Sequence, residues 1–418
     1  MVGIFNDIRC RSNGIILRKC DCLDMKTATI TWITYNNYGT LLQAYALQKA
    51  IEKLGHENVI LSDNEILKEF RASKVNVPKA KRVVPAESPT GRLERLAADP
   101  GRILRSLLCR RDPERYGSPY EDSQKACGEF RKEALKIRCN VAGATLPGLN
   151  EDYDAFVCGS DQVWSVFDNN FNPYYYLDFA QKRKIAYAPS LGTDQITPEK
   201  AETLRQLLAD FSAVSVRELV SAKQLSEITG RQVQWVADPT LLHDREFWSE
   251  FASELPQRKK KYLLCYFLEH RAWYISYARK LARKLGLKLL LIPSRWDHLQ
   301  HSFVADFPVG PREFAALFRD ASYVLTDSYH GSIFSLIFEK DFQYLQRFAK
   351  GDPNSQNIRV ESLFGYLDLQ DRVAAQEKEV SELRMDYEKL RNRLDVLRAQ
   401  SRAFLSYALQ SAEDEYYD

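Results

Sequence analysis

The segment Thr326-Asp327-Ser328-Tyr329-His330-Gly331 joins a β-type run, SYVLT (322–326), to a helical pattern over Ser332–Phe338. A strand-to-helix turn presents free backbone N–H groups and the positive end of a helix dipole, and together these hold anions. An imidazole is the side chain whose ordinary titration lies near neutrality, so one placed here could pass protons to whatever the turn binds. His330 is the one histidine of six at such a junction. A lone histidine is more often structural, but the adjoining glycine and hydroxyls favour a functional residue here.

Other turns that follow strand-like runs share this character. Gly159-Ser160-Asp161-Gln162-Val163-Trp164 follows YDAFVC (153–158). Gly159 permits close backbone approach, and Ser160 or Asp161 can cap the next segment. Trp164 offers a flat face to a sugar or, equally, fills a core. Ala188-Pro189-Ser190-Leu191-Gly192 ends the next run. Ser215-Val216-Arg217-Glu218 sets a guanidinium at the sheet rim, either a clamp for phosphate or carboxylate or half of an Arg–Glu surface pair. Asn37-Tyr38-Gly39 is the equivalent turn after the first run.

The chain contains no G-x-x-x-x-G-K-[ST], no G-x-G-x-x-G after a strand and no H-E-x-x-H, which removes support for ATPase, dinucleotide-dehydrogenase and zinc-peptidase chemistry. His298 and His301 lack carboxylates at clear ligand spacing and read as solvated. Cys20-x-Cys22 lacks a second pair, so no metal site is expected.

Alternating elements must position these turns. Ala28–Thr34 reads as a buried strand, and Ala44, Leu47, Ile51 and Leu54 trace one helix face that Gly55 ends. Val59–Leu61 returns as a strand. This βαβ opening predicts a parallel sheet covered by helices. Further strands are predicted at 153–158, 184–188, 213–216, 262–267, 288–292 and 322–326, with helices near 270–285 and 311–320. The expected organisation is a leader at 1–24, whose alternative is a true start at Met25, followed by a Rossmann-like domain at 25–220. A second such domain follows at 221–370, then a helical tail at 371–418 that packs back and ends in a loose acidic segment. The heptad steps Val380, Leu383, Tyr387, Leu390, Leu394 and Leu397 are too few for an independent coiled coil; a dimer-forming helix is the alternative, and the oligomeric state stays open.

A length of 418 residues suits two or three domains, and 59 Lys/Arg against 56 Asp/Glu gives no field that argues for nucleic acid. No apolar run approaches the ~20 residues of a membrane span, and eight scattered cysteines suit a reducing compartment. The stretch 76–116 is locally basic, with ten Lys/Arg against five Asp/Glu. It is read as a helical insertion packed on the domain, with peripheral contact to an anionic membrane as the competing reading.

The motifs Thr34–Gly39 with Leu42–Leu47, Gly159–Trp164, Ala186–Gly192, Ser215–Glu218, Asp238–Leu242 and Thr326–Gly331, with Asn357 and Arg359, together resemble the polysaccharide pyruvyl transferase family from about Lys26 to Asp371. The resemblance implies an α/β, GT-B-like fold: two Rossmann-type domains, a central cleft and a long C-terminal helix. It implies transfer of a pyruvyl group from phosphoenolpyruvate to a sugar of a surface or exopolysaccharide precursor, closing a cyclic ketal. His330 and Arg217 become the catalytic pair. Asn37, Gly39, Ser190, Ser328, Gly331 and Arg359 are expected at the donor, and Gly159, Ser160, Asp161, Gln162 and Trp164 at the acceptor. Phosphoenolpyruvate is a substrate, no cofactor or metal is implied, and the acceptor is a sugar or lipid-linked oligosaccharide. The expected location is cytoplasmic, with contact of 76–116 to the inner membrane face kept as the competing reading of that stretch. The alternatives are a nucleotide-sugar-dependent GT-B glycosyltransferase and a non-catalytic glycan-binding protein.

Overall fold

Strand order, more than strand count, determines where ligands can sit in this molecule. A computed structural model describes residues 24–73, 118–166, 171–349, 352, 355–375, 380 and 382–410. The expectations for 1–23, for the basic stretch 76–116, for Cys20-x-Cys22 and for the acidic end lie outside the described residues.

The first sheet is wholly parallel and runs β3-β2-β1-β4-β5-β6-β7, built from Lys26–Ile30 (β1), Glu57–Leu61 (β2), Ile137–Arg138 (β3), Ala155–Cys158 (β4), Arg183–Ala186 (β5), Ala213–Val216 (β6) and Gln234–Trp235 (β7). The second runs β12-β11-β10-β8-β9, also parallel, from Tyr262–Tyr266 (β8), Lys288–Leu291 (β9), Tyr323–Thr326 (β10), Phe342–Leu345 (β11) and Val373–Ala374 (β12). Helices cover both faces of such sheets, so central strands are buried throughout: β4, β8 and β10 have no exposed position. Two Rossmann-type layers and a long C-terminal helix make a GT-B-like architecture. Strand order reverses between β1 and β4 in one sheet and between β8 and β10 in the other, and crevices open at such switch points beyond the strands' carboxyl ends.

The expected division at residue 220 does not follow the sheets, because β7 pairs with β6 and so belongs to the first one. The helix α1 (Tyr38–Lys53) is capped by Asn37, whose Oδ1 accepts the Gly39 N–H at 2.9 Å. Its first turn reaches across the lobes. Tyr38 stacks on Phe314 at 4.8 Å and donates its hydroxyl to the Val309 carbonyl at 3.0 Å. Apolar residues of α1 thus join one continuous core with Trp248, Phe314 and Phe334 of the second lobe. The helix α2 (Ser118–Ala134) adds Cys127 and Phe130 to this core.

The C-terminal helix α3 (Tyr387–Leu409) buries Leu390, Leu394 and Leu397 in this shared core, and Phe404, Leu405, Ala408 and Leu409 against Val157, Ile185 and Tyr187 of the first lobe. Its Ser401 hydroxyl accepts the Ala237 N–H at 2.8 Å. The seam expected for it is therefore used within the chain, fastening both lobes. Among the described residues no helix is long and apolar enough to cross a membrane.

Candidate functional site

A buried carboxylate, Asp238, organises the cleft floor. It follows β7, and its Oδ1 accepts the Thr240 N–H at 3.0 Å and the Thr240 hydroxyl at 2.6 Å, capping a short turn. Its Oδ2 accepts from Arg217 at 2.9 Å, lies 3.4 Å from His330 Nε2 and accepts the Ser160 hydroxyl at 3.4 Å. Arg217, from the end of β6, also approaches Asp161 at 3.4 Å and Glu218 at 3.5 Å. Burial alone would raise the Asp238 carboxyl; His330 and Arg217 overcome it and hold the group well below the usual carboxylate range. Burial likewise opposes the charge on Asp161, but Arg217 and His330 keep it lowered. For Glu218 burial wins over Arg217 and the carboxyl is raised. Burial also works against the Arg217 charge, yet Asp161 and Asp238 hold that guanidinium above its ordinary value.

Asp161 carries backbone strain. Its φ of 73° with ψ of −177° is a conformation that glycine favours, and it costs ~1–3 kcal/mol for other residues. The surroundings impose it: Thr40 donates its hydroxyl to Oδ2 at 2.6 Å, and the Asp161 carbonyl accepts the Ser190 N–H at 2.8 Å.

His330 lies in the first turn of the helix Tyr329–Ile337 rather than in the turn before it. Its ring crosses to the first lobe, where Gly39 leaves room: a Cβ there would stand 2.1 Å from Nδ1. The cleft above has a volume of about 860 Å³ and takes lining from both lobes. Asn37, Asp161, Gln162, Ser328, His330 and Arg359 all line it. Arg359 is half-buried near Arg217, and the two effects, desolvation first, bring its guanidinium down to about 10. Its Nη2 donates to the Gln356 side chain at 2.8 Å. Arg347 lines the same wall, 3.4 Å from Glu269.

The remaining expected residues lie elsewhere. Arg217 is fully buried among three carboxylates and does not line the cleft, so it cannot clamp phosphate there; it meets His330 through Asp238 instead. Trp164 is also fully buried, stacked on Tyr176 at 5.2 Å with its indole N–H on the Tyr175 carbonyl, and offers a sugar no open face. The Gly331 N–H is taken by the Ser328 hydroxyl at 3.3 Å, so it is not a free anion donor. That glycine serves packing, because a Cβ would meet Thr326 Oγ1 at 2.2 Å. Gly159 packs on Leu47, Thr31 and Thr29, while Ser160 and Ser190 are buried behind the lining. Gly39 acts through the room it leaves.

His298 and His301 are buried, not solvated, and His301 Nε2 lies 3.0 Å from His270 Nε2. Among the described residues no group of His, Cys, Asp or Glu could hold a metal. The structure adds Asp238, Arg347, Trp296, Tyr120, Trp32 and Tyr35 to the site. For Asp238 the signal was available in Asp238-Pro239-Thr240, a capping sequence directly after a strand.

Residues 37–342 match the family described as polysaccharide pyruvyl transferase. No match to a curated protein was found. Among solved structures, the chain is similar to a UDP-GlcNAc 2-epimerase from Methanocaldococcus jannaschii in complex with UDP-GlcNAc and UDP, at 14% identity and a TM-score of 0.42, covering 90% of this chain and 94% of that one. It is similar to a glycosyltransferase from Rickettsia africae at 8% identity and a TM-score of 0.42, covering 93% and 100%. An E. coli heptosyltransferase with ADP gives 12% identity and a TM-score of 0.38, covering 89% and 100%.

Proposed function

The chain belongs to the polysaccharide pyruvyl transferase family, and from that premise we propose how its cleft divides the work. The enzyme moves the pyruvyl group of phosphoenolpyruvate onto a polysaccharide sugar, with phosphoenolpyruvate as substrate. Ketal formation adds a proton to the methylene carbon C3 and makes C2 electrophilic. Two sugar oxygens then bond to C2 while its bond to the phosphate oxygen breaks. Of the two hydroxyl protons released, one balances the new C–H bond and the other leaves with phosphate.

His330 is the general acid and base in this reading. Asp238 Oδ2, 3.4 Å from Nε2, orients the ring, as a buried carboxylate does for a catalytic imidazole. Arg217 is a positioning residue, because it acts on His330 only through Asp238. Arg359 takes the donor's phosphate, with Arg347 beside it, while Asn37, Ser328, Asp161 and Gln162 orient donor and acceptor oxygens.

The observation that carries this reading is Arg359: a cleft-lining guanidinium whose charge is disfavoured by burial and by Arg217, and which an incoming anion would relieve. The test is a thermal-shift comparison of phosphoenolpyruvate with UDP-glucose. Stabilisation by phosphoenolpyruvate that Arg359→Gln abolishes is expected; stabilisation by UDP-glucose alone would overturn it.

We further propose that transfer occurs in the cytoplasm, where phosphoenolpyruvate is made, onto a lipid-linked oligosaccharide, with the 76–116 stretch touching the inner membrane face. Flotation of the full chain with anionic vesicles, compared with a chain lacking 76–116, tests that contact. Equal flotation would dismiss it.

A further inference from the structure

The cleft changes character from floor to mouth. His330 at the floor is 6% exposed, whereas Trp296 and Tyr35, which also line the cleft, are 36% and 44% exposed. These two rings come from opposite lobes, and each is braced edge-on by a second lining aromatic. Tyr120 meets Trp296 at 6.0 Å and 88°, and Trp32 meets Tyr35 at 5.5 Å and 67°. Large exposed aromatics gathered in a concave site are the usual apolar platform of a ligand subsite.

Their settings are built as well. Arg295 grips Asp297 through two bonds of 2.8 Å and donates to the Leu268 carbonyl at 3.2 Å, fixing both neighbours of Trp296. On the facing side, the Arg131 guanidinium donates to the Ile33 and Thr34 carbonyls and to Asn36 Oδ1, holding the loop that carries Tyr35. Arg295 is thereby committed to Asp297 and to the Leu268 carbonyl rather than open to a phosphate. Aromatic faces carry negative charge density and repel a trianion such as phosphoenolpyruvate. A neutral polyol with one apolar C–H face suits them. The volume of about 860 Å³ lies near the top of the roughly 300–1,000 Å³ range of pockets for drug-sized ligands, well above what the small donor needs.

We propose that Trp296–Tyr120 and Tyr35–Trp32 form a subsite for the penultimate sugar of an oligosaccharide end, whose terminal sugar reaches His330. The acceptor class is thus an extended glycan rather than a monosaccharide. This inference rests on the placement of transfer at His330, and its test separates the two ideas.

Binding is measured by saturation-transfer NMR with methyl glycosides of galactose, glucose and mannose and with lactose, cellobiose and mannobiose as probes, alongside UDP. Phosphate release from phosphoenolpyruvate is followed in the same samples. At least one disaccharide should bind the wild type with contact to both rings and about tenfold or more tighter than its methyl glycoside. Trp296→Ala should erase that advantage while the thermal shift caused by phosphoenolpyruvate persists, and Trp296→Tyr should restore part of it. Equal binding of mono- and disaccharides, no binding by any sugar, or Trp296-dependent binding of UDP instead of sugar would each overturn the proposal. Disaccharide binding without phosphate release would leave the subsite standing and count against the assigned reaction.

Discussion

The missing side chain of Gly39 and the ring of His330 occupy one space: a Cβ at position 39 would lie 2.1 Å from Nδ1. The two residues come from different lobes, so the glycine at the start of α1 sets how closely the imidazole can approach the first lobe. Gly39→Ala is expected to displace the ring and lower kcat for pyruvyl transfer by about 10²-fold, the cost of a misplacement near 1 Å. Alanine favours the helix by up to ~1 kcal/mol, so helix loss would not explain the defect. Steady-state kinetics beside far-UV circular dichroism decides it, and an unchanged kcat would mean that the ring's position is not set here.

Arg217 and Arg359 should separate cleanly. Removing the Arg217 charge in Arg217→Met leaves Asp161, Asp238 and Glu218 without their shared buried partner, and a loss of ~3–5 kcal/mol is expected in urea denaturation. Arg359→Gln, which removes a charge disfavoured by burial, should keep or raise the melting temperature while raising KM for phosphoenolpyruvate at least tenfold. Reversed behaviour of the two variants would exchange their roles.

Trp164→Ala should behave as a core truncation. Its indole is fully buried on Tyr176 and beside Phe211, so a loss of ~3–5 kcal/mol is expected. The thermal shift produced by phosphoenolpyruvate should persist in the surviving folded protein. A stable variant with selective loss of sugar binding would return Trp164 to the acceptor.

Buried histidines should cost stability in mild acid. Burial brings His243 and His298 down to about 4, so between pH 6.5 and 4 the unfolded chain takes up protons that the fold excludes. Each such histidine then contributes a loss of up to ~1.4 kcal/mol per pH unit as pH falls. Asp327 has the opposite sign: burial raises its carboxyl to about 6, so its contribution is present below about pH 4 and disappears as pH rises through 6. Burial also lowers His56 and raises Asp63 and Glu218, so His243 and His298 supply only the histidine share of the slope predicted here. Calorimetry across this range should find a flatter profile for His243→Gln, and an identical slope would exclude His243 as a source.

Much of the scaffold was legible because parallel strands buried on both faces leave uninterrupted apolar runs, as in YLLCY at β8 and AFVC at β4. The turn bearing His330 was legible for a related reason, since a strand-to-helix junction needs hydroxyl and glycine chemistry. The direction of Arg217 was not. A long side chain at a sheet rim can turn outward or inward, and the three carboxylates that draw it in come from separate turns. Trp164 misled because an indole that fills a core and one that meets a sugar look alike in sequence. The pairing of Tyr120 with Trp296 depends on the meeting of the two lobes, which no local pattern encodes.

The most direct test is a crystal structure of the full chain with phosphoenolpyruvate bound. The donor's phosphate is expected within hydrogen-bonding distance of Arg359, and its methylene carbon within ~3.5 Å of the His330 ring, the near-attack range. A phosphate held away from Arg359, or a methylene turned away from His330, would contradict the assignment of proton transfer to that imidazole.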